Sequence, residues 1–372
     1  MDPLVSFVIP CYKLAHMLSD CVNSVLKQDY ENFEVLIMDN CSPDRTPEVA
    51  QSFNDPRVKH IRNESNLGHI RNFNKGISLA RGKYVWMLCV DDMLRSPHVL
   101  GRYVDLMERN ARVGLVFCRG VEFQGGEEKG VCQWADCGDK DHIWTDGSFF
   151  HRLIEGNCVL ACSFFVRKEC YPKPGPYQLN VPWASDWYVT CMIAMRFDVA
   201  YLSEPMVSVR IHEESLTTQC SQDHARLCIG DELAVLRLVG REAELAGLSS
   251  LGGACEAALI RRAVGLLEAG SKGKTFGMSR ADFETILEDR IENCEERKDM
   301  QASVYASLGD EQYCKGEREQ AARSYRLAIS ARPGRLKTFG KYLLLRTGVT
   351  GIRVRRLVHR HGRWNVGAKF AK

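Results

Sequence analysis

Asp91 and Asp92 close the apolar run Lys83-Tyr84-Val85-Trp86-Met87-Leu88-Cys89-Val90. The run reads as a buried strand, and adjacent carboxylates at the carboxyl end of such a strand are where an open α/β sheet holds a metal-bound ligand. Capping of the next helix is the alternative use for the pair. Ser96-Pro97 supplies a separate N-cap and first helical residue, which leaves the two carboxylates available for a site.

The elements that must position them alternate along the chain. Leu4 to Ile9 reads as a first strand. Leu18, Cys21, Val22, Val25 and Leu26 then fall at helical spacing, and Phe33 to Met38 reads as a second strand ending in Asp39-Asn40. Val58 to Ile61 is a third, short strand, and Asn66-Leu67-Gly68 precedes a helix from about His69 to Ala80 that stops near Gly82. Lys83 to Leu88 is the fourth strand. This alternation predicts a parallel sheet, so Pro10-Cys11-Tyr12, Asp39-Asn40 and Asp91-Asp92 should converge in one crevice. No G-x-G-x-x-G follows the first strand and no G-x-x-x-x-G-K-[ST] occurs, which excludes the usual dinucleotide and P-loop cradles.

With 372 residues, 45% of them apolar, the chain can bury a full core and fill two domains. No uninterrupted apolar run reaches about 18 residues, so no bilayer-spanning helix is expected. Met1-Asp2-Pro3 leads into the first strand without a basic n-region or cleavage site, so no signal peptide is expected either. The sixteen cysteines, scattered through apparent strands and helices as in Cys21, Cys89, Cys118, Cys191 and Cys255, read as reduced, mostly buried thiols of a cytoplasmic protein. Cys132, Cys137 and His142 follow C-x4-C-x4-H without an obvious fourth ligand and read as ordinary loop residues rather than a zinc site. The net charge of +3 hides an asymmetry: residues 334–372 hold eleven Lys or Arg and no acid, which leaves residues 1–333 at −8.

Several short segments occur in a consistent order: Ile9-Pro10-Cys11-Tyr12, Met38-Asp39-Asn40-Cys41-Ser42 with Thr46, Asn66-Leu67-Gly68 with Arg71-Asn72, Gly76, Ala80-Arg81-Gly82-Lys83-Tyr84, and Asp91-Asp92. Through them, residues 4–218 resemble a family-2 glycosyltransferase of the GT-A fold. The resemblance implies an α/β protein with a mixed, mostly parallel sheet flanked by helices and followed by an α-helical C-terminal region. It also implies inverting transfer from a nucleoside-diphosphate sugar to a glycan, lipid-linked or small-molecule acceptor.

In such enzymes the first strand end and the Asp ending the second strand hold the nucleobase and ribose, which implies a nucleotide-sugar pocket of Pro10, Tyr12, Asp39, Asn66 and Gly68. Arg71 matches a position facing the donor phosphates. An Asx turn for Asp39 and a solvated helix charge for Arg71 are the alternatives. Asp91 and Asp92 correspond to the family's D-x-D element. Where many members carry Asp-x-Asp-Asp, this chain reads Cys89-Val90-Asp91-Asp92, yet Asp91 still suits Mg2+ or Mn2+ bridging to a diphosphate. Arg210-Ile211-His212-Glu213-Glu214-Ser215-Leu216-Thr217 resembles the segment that closes the catalytic domain, with His212 completing the metal shell or contacting the diphosphate. Trp183-Ala184-Ser185-Asp186-Trp187-Tyr188 resembles the family's Glu-Asp element, Ser185 replacing Glu. Asp186 is then the general base, with Trp183 and Trp187 as a sugar-stacking platform. The alternative for Asp186 is a first-turn acid stabilising a helix dipole.

After about residue 220 helical spacing takes over, which divides the chain into residues 1–218, a helical region 219–333 and a basic amphipathic tail 334–372. Tyr305, Leu308, Gly309, Gly316, Ala321, Tyr325, Ala328 and Pro333 fit one tetratricopeptide-like hairpin, which packs on the catalytic domain or pairs subunits as a homodimer. The tail carries Leu343-Leu344-Leu345, Val354, Leu357 and Val358 among its arginines. It reads as a peripheral contact with an anionic membrane at its inner face, or as a solvated helix with a disordered end. No motif for reading nucleic acid accompanies the charge. The segments Gly125–Gly147 and Pro172–Pro182 are expected to shape acceptor choice. A non-catalytic nucleotide-sugar-binding or scaffold protein is the competing reading. A sugar nucleotidyltransferase would want a Gly-rich, basic loop where Cys11-Tyr12-Lys13-Leu14-Ala15 stands.

Overall fold

Apolar runs build the parallel half of a sheet from β1 (Val5–Cys11), β2 (Phe33–Asp39), β3 (Val58–Arg62) and β4 (Tyr84–Met87), joined by α1 (Ala15–Leu26), α2 (Thr46–Gln51) and α3 (His69–Leu79). The computed structural model describes residues 2–173, 175–215, 218, 225–274 and 277–347, and orders these strands β3-β2-β1-β4. The inner strands are buried on both faces and only the edge strand β3 is half exposed, as a sheet covered by crossover helices requires. A side chain at Gly76 would place its Cβ 2.4 Å from Val8 Cγ1, so α3 lies against β1 and brings its N-terminus to the carboxyl edge of the sheet.

The second half of the sheet is mixed. It comprises β5 (Met93–Leu94), α4 (Val99–Arg109), β6 (Val113–Gln124), β7 (Glu127–Val131), β8 (His142–Trp144), α5 (Ser148–Leu153), β9 (Phe165–Arg167), α6 (Ser185–Ala194) and β10 (Asp198–Arg210). Strand β9 pairs antiparallel with both β4 and β6, β10 runs parallel to β6, and β5 and β8 pair antiparallel with β10. The segment expected to be a loop between Gly125 and Gly147 therefore contains β7, in a hairpin with β6, and β8. Between Cys162 and Lys168 only β9 is extended, because single helical turns occupy its flanks.

The helix after the carboxylate pair also begins differently. It starts at Val99 with His98 at the N-cap position, and Ser96-Pro97 forms the turn before it, the Ser96 carbonyl accepting from the Val99 N–H at 3.4 Å. Asp91 and Asp92 take no part in that cap.

At the opposite edge of the sheet, Glu34 ties β1, β2 and the entry to β4 together. Its Oε1 accepts from Ser6 Oγ at 2.8 Å and the Arg81 N–H at 2.9 Å, and its Oε2 from Arg81 Nε at 3.0 Å and Lys59 Nζ at 3.1 Å. Burial opposes ionisation of this carboxyl, but the bonds from Arg81, Ser6 and Lys59 prevail and hold its pKa down at about 2. A depressed pKa contributes stability that is present above the ordinary glutamate range and lost as pH falls toward 2. Glu34→Gln should therefore cost on the order of 3 kcal/mol at neutral pH and almost nothing near the acid end of that window, checked by urea unfolding across the range.

The chain divides into two compact units, Met1–Ala258 and Leu259–Lys372. In the first, α7 (Ala225–Leu245) buries Leu233, Val235 and Leu236 and its Asp231 accepts the Trp183 N–H at 2.8 Å. By packing, α7 thus goes with the sheet, and the boundary at residue 218 falls inside the first unit. The division lies within α8 (Ser249–Ser271). The second unit holds α9 (Arg280–Arg290), α10 (Cys294–Cys314), α11 (Arg318–Ala331) and α12 (Leu336–Thr347). Helices α10 and α11 form a hairpin with Ala321, Tyr325 and Ala328 buried between them. All fifteen described cysteines are free thiols, most of them buried. No helix among the described residues is long and apolar enough to cross a membrane.

Candidate active site

The parallel register sets β1 and β2 level at Cys11 and Asp39, and the Asn40 N–H closes the gap by donating to the Cys11 carbonyl at 2.9 Å. Asp39 is fully buried. Its Oδ1 accepts from the Ser42 N–H at 2.8 Å, while Oδ2 accepts from Arg62 at 2.6 Å and lies 3.1 Å from His60 Nε2. Burial would raise its pKa, but the bonds from Ser42, Arg62 and His60 overcome that and keep the carboxylate below its usual range. Asp39 thus makes the Asx turn and an ion pair at once. Pro10 is half-buried and Tyr12, 38% exposed, leaves the strand beside it with Lys13 over its ring.

Four asparagines fix the neighbouring loop. Asn40 Oδ1 accepts from the Leu67 N–H and from Asn63, and its Nδ2 donates to Asn66 Oδ1 at 2.8 Å. Asn66 Oδ1 also takes the Gly68 N–H at 2.8 Å, and Gly68 turns the chain at φ +78° into α3. Asn63 donates to Asn72, which donates to the Met38 carbonyl. Asn66 and Gly68 are therefore turn-formers at the carboxyl edge, with Arg71 exposed in the first turn of α3 beside them.

Strand β4 stops at Met87, and a turn closed by the Asp92 N–H on the Cys89 carbonyl carries the carboxylates. Ligand atoms of Cys89, Asp91 and Asp92 lie within 4.8 Å of one another. Asp92 is buried, accepts the Arg210 N–H at 3.0 Å, and has its pKa pushed well above the usual carboxylate range by burial and by Asp91. Asp91 Oδ2 lies 3.1 Å from His212 Nε2, while His212 Nδ1 is buried with no hydrogen-bond partner. The thiol of Cys89 and the two crowded carboxylates form a donor set that fits a divalent cation, with His212 Nε2 beside Asp91. Arg210 organises the turn by donating from Nε to the Asp91 carbonyl at 3.1 Å and from Nη2 to Asp20 at 3.0 Å. From the sequence it stood only as part of the Arg-x-His pattern.

Asp186 sits in the first turn of α6, the position its motif implied. Burial pushes its pKa up to about 6 against the bonds from the Trp187 N–H at 2.7 Å and Asn157 Nδ2 at 3.4 Å. Burial and then the charges of Asp91, Asp92 and Asp186 raise the Cys89 thiol, which places Asp186 within electrostatic range of the carboxylate turn. Ser185, the residue in place of Glu, is buried and accepts the Gln178 N–H at 2.6 Å. The 172–182 segment that leads there is fastened to α3: Asn74 and Tyr177 exchange two hydrogen bonds at 2.8 and 3.0 Å, and His69 Nε2 lies 3.1 Å from the Pro182 carbonyl.

Trp183 is half-buried beside this turn, but Trp187 cannot serve as a sugar platform. It is 4% exposed and its indole N–H donates to the Leu153 carbonyl at 2.9 Å, because α6 is buried on nearly every side and directs this ring inward. Asn157 is a site residue the sequence did not single out, since nothing local marks it. Asn157→Ala removes a donor to the Asp186 carboxylate, so the acid limb of the activity profile should move alkaline by about 0.5 on the pH scale, read from kcat/KM against pH. Cys132 and His142 do not join a metal cluster with Cys137: Cys132 is buried, the Cys137 thiol meets Cys158, and the His142 ring packs on Trp144 at 4.6 Å.

Residues 6–170 match the family model described as glycosyl transferase family 2. Glycosyltransferase GlyG of Streptococcus pneumoniae is 33% identical over 115 residues, covering 30% of this chain and 38% of that protein. The UDP-Glc:alpha-D-GlcNAc-diphosphoundecaprenol beta-1,3-glucosyltransferase WfgD of Escherichia coli is 37% identical over 92 residues, 25% of this chain and 36% of its own. The chain thus matches well under half the length of these curated relatives. Among solved structures, S. aureus TarS 1-349 superposes with a TM-score of 0.59 at 17% identity over 89% of this chain and 92% of that one, a likeness of fold.

Proposed function

We propose, on the match of residues 6–170 to glycosyl transferase family 2, that the chain moves a sugar from a nucleoside diphosphate to a hydroxyl acceptor with inversion, Asp186 serving as general base. The observation that carries this reading is a half-buried carboxylate whose pKa, at about 6, is matched to proton abstraction near neutrality, within electrostatic range of the Cys89-Val90-Asp91-Asp92 turn.

Pro10 and Tyr12 face the nucleobase and ribose. Asp39, whose oxygens are engaged by Ser42, His60 and Arg62, shapes the floor of that pocket. Asn66 and Gly68 shape its rim, and Arg71 pairs with the donor phosphates. Asp91, Asp92 and His212 would hold Mg2+ or Mn2+, which when bound offsets charge on the diphosphate. Trp183 borders the acceptor. The acceptor hydroxyl attacks the anomeric carbon, its proton passes to an Asp186 carboxylate oxygen, and the bond from that carbon to the diphosphate oxygen breaks on the opposite face. A glycan, a lipid-linked intermediate or a small molecule could each bring the hydroxyl. A lipid-linked one would place the enzyme at the inner face of a membrane.

The test is nucleoside diphosphate release from UDP-, GDP- and dTDP-sugars with Mn2+ or Mg2+. UDP-sugars lead the panel because TarS has been solved with UDP-GlcNAc and WfgD is named for UDP-Glc. Release from one donor that depends on the cation supports the reading. A donor that raises the melting temperature yet is never turned over with any acceptor class would favour the binding-protein reading. No binding of any donor would sink both.

A further inference from the structure

Helix α12 presents an apolar stripe to solvent. Leu336, Phe339 and Leu343 are 80%, 43% and 43% exposed, and their spacing puts them on one face. The helix packs by a different face: Thr338 is buried, Lys341 Nζ donates to both oxygens of Asp310 at 2.7 Å, and Tyr342 Oη accepts from Arg326 at 3.4 Å. Leu336, at 80%, keeps most of its surface outside that packing, while Phe339 and Leu343 share theirs between the unit and solvent. Lys337 and Arg346 are exposed at its borders, and no acid occurs from residue 334 to residue 372, a stretch that holds eleven Lys or Arg.

That combination selects among partners. Nucleic acid would use the charge but leave Leu336 and Phe339 without a role. A second copy would bring the same excess of positive charge against this one, and like charges across an interface oppose association. An anionic bilayer accepts both halves of the pattern: apolar side chains enter the boundary between headgroups and acyl chains while Lys and Arg meet the lipid phosphates. We propose that α12 is a docking helix for an anionic lipid surface, with Leu336, Phe339 and Leu343 inserted and Lys337 and Arg346 against the headgroups. This stands independently of the transfer reaction.

The experiment pellets the full chain with vesicles of phosphatidylcholine alone and of phosphatidylcholine mixed with phosphatidylglycerol. Pelleting is expected only with the anionic vesicles and should weaken with added salt. The Leu336→Ser/Phe339→Ser double variant should lose about tenfold or more of the partitioning, and Lys337→Gln/Arg346→Gln a comparable amount. Leu336→Ser alone, at the most exposed position, should change partitioning in the same direction with an unaltered melting temperature. Absence of pelleting, or pelleting undiminished in both apolar variants, would overturn the assignment. So would a self-associated species in sedimentation velocity that the double variant abolishes without any vesicle binding, since the stripe would then face a second copy.

Discussion

Asp186→Asn should lower turnover by about 10²- to 10⁴-fold and at the same time raise the melting temperature. Burial lifts the pKa of this carboxyl to about 6, above its ordinary value. The folded state therefore favours the protonated form, and the associated stability is present below the ordinary aspartate range and lost as pH rises through about 6. At neutral pH the native protein carries that loss in order to keep a base. Asparagine carries no charge to desolvate, so the variant should gain roughly 1–2 kcal/mol, the full shift being discounted because the side chain is only partly buried. The same titration should appear in the wild type as an acid limb in kcat/KM near pH 6. A first-turn acid that only complements a helix dipole would behave oppositely, its loss costing about 0.3–1 kcal/mol and leaving turnover intact. Calorimetry and steady-state rates on one variant thus separate the two roles.

Asp91→Ala should abolish the response to Mn2+ and lower donor turnover on the order of 10³-fold or more, while the turn itself survives. Arg210 Nε holds the Asp91 backbone carbonyl and the Arg210 N–H holds Asp92, and neither bond involves the Asp91 side chain. Two local changes accompany the loss: His212 Nε2 loses its carboxylate neighbour, and Asp92, relieved of the like charge beside it, titrates lower. Equilibrium dialysis against Mn2+ measures the cation directly, and chelation of the wild type should reproduce the kinetic defect without lowering donor affinity for the base. Retention of stoichiometric Mn2+ in the variant would place the cation elsewhere.

The strands that carry the site were legible because their composition is local. Apolar runs such as Val35–Met38 read as strands buried on two faces, and each stops where a polar residue must meet the crevice. The place of Asp186 at the start of α6 was implied by the resemblance of Trp183-Ala184-Ser185-Asp186-Trp187-Tyr188 rather than by composition. Less was visible around β6 and β10, whose pairing joins Val113–Gln124 to Asp198–Arg210 across a long stretch of chain. Without that pairing the contact of Arg210 with the Asp91 carbonyl could not be drawn, and His212 was tied to the carboxylates by the resemblance alone.

What the sequence by itself determined is the alternation of strand and helix and the residue types offered at each strand end. The tertiary structure decided what each of those residues faces. Trp183 and Trp187 are equivalent as letters, yet only the packing of α5 and α6 turns Trp187 onto the Leu153 carbonyl and leaves Trp183 half-buried. Asp39 is marked in the sequence as a strand end, but only the tertiary structure brings His60 and Arg62 of β3 onto its Oδ2 beside the Ser42 N–H on its Oδ1. The reason is physical: periodicity is a property of neighbours along the chain, whereas burial and charge at a site are set by groups that approach from elements far away in it.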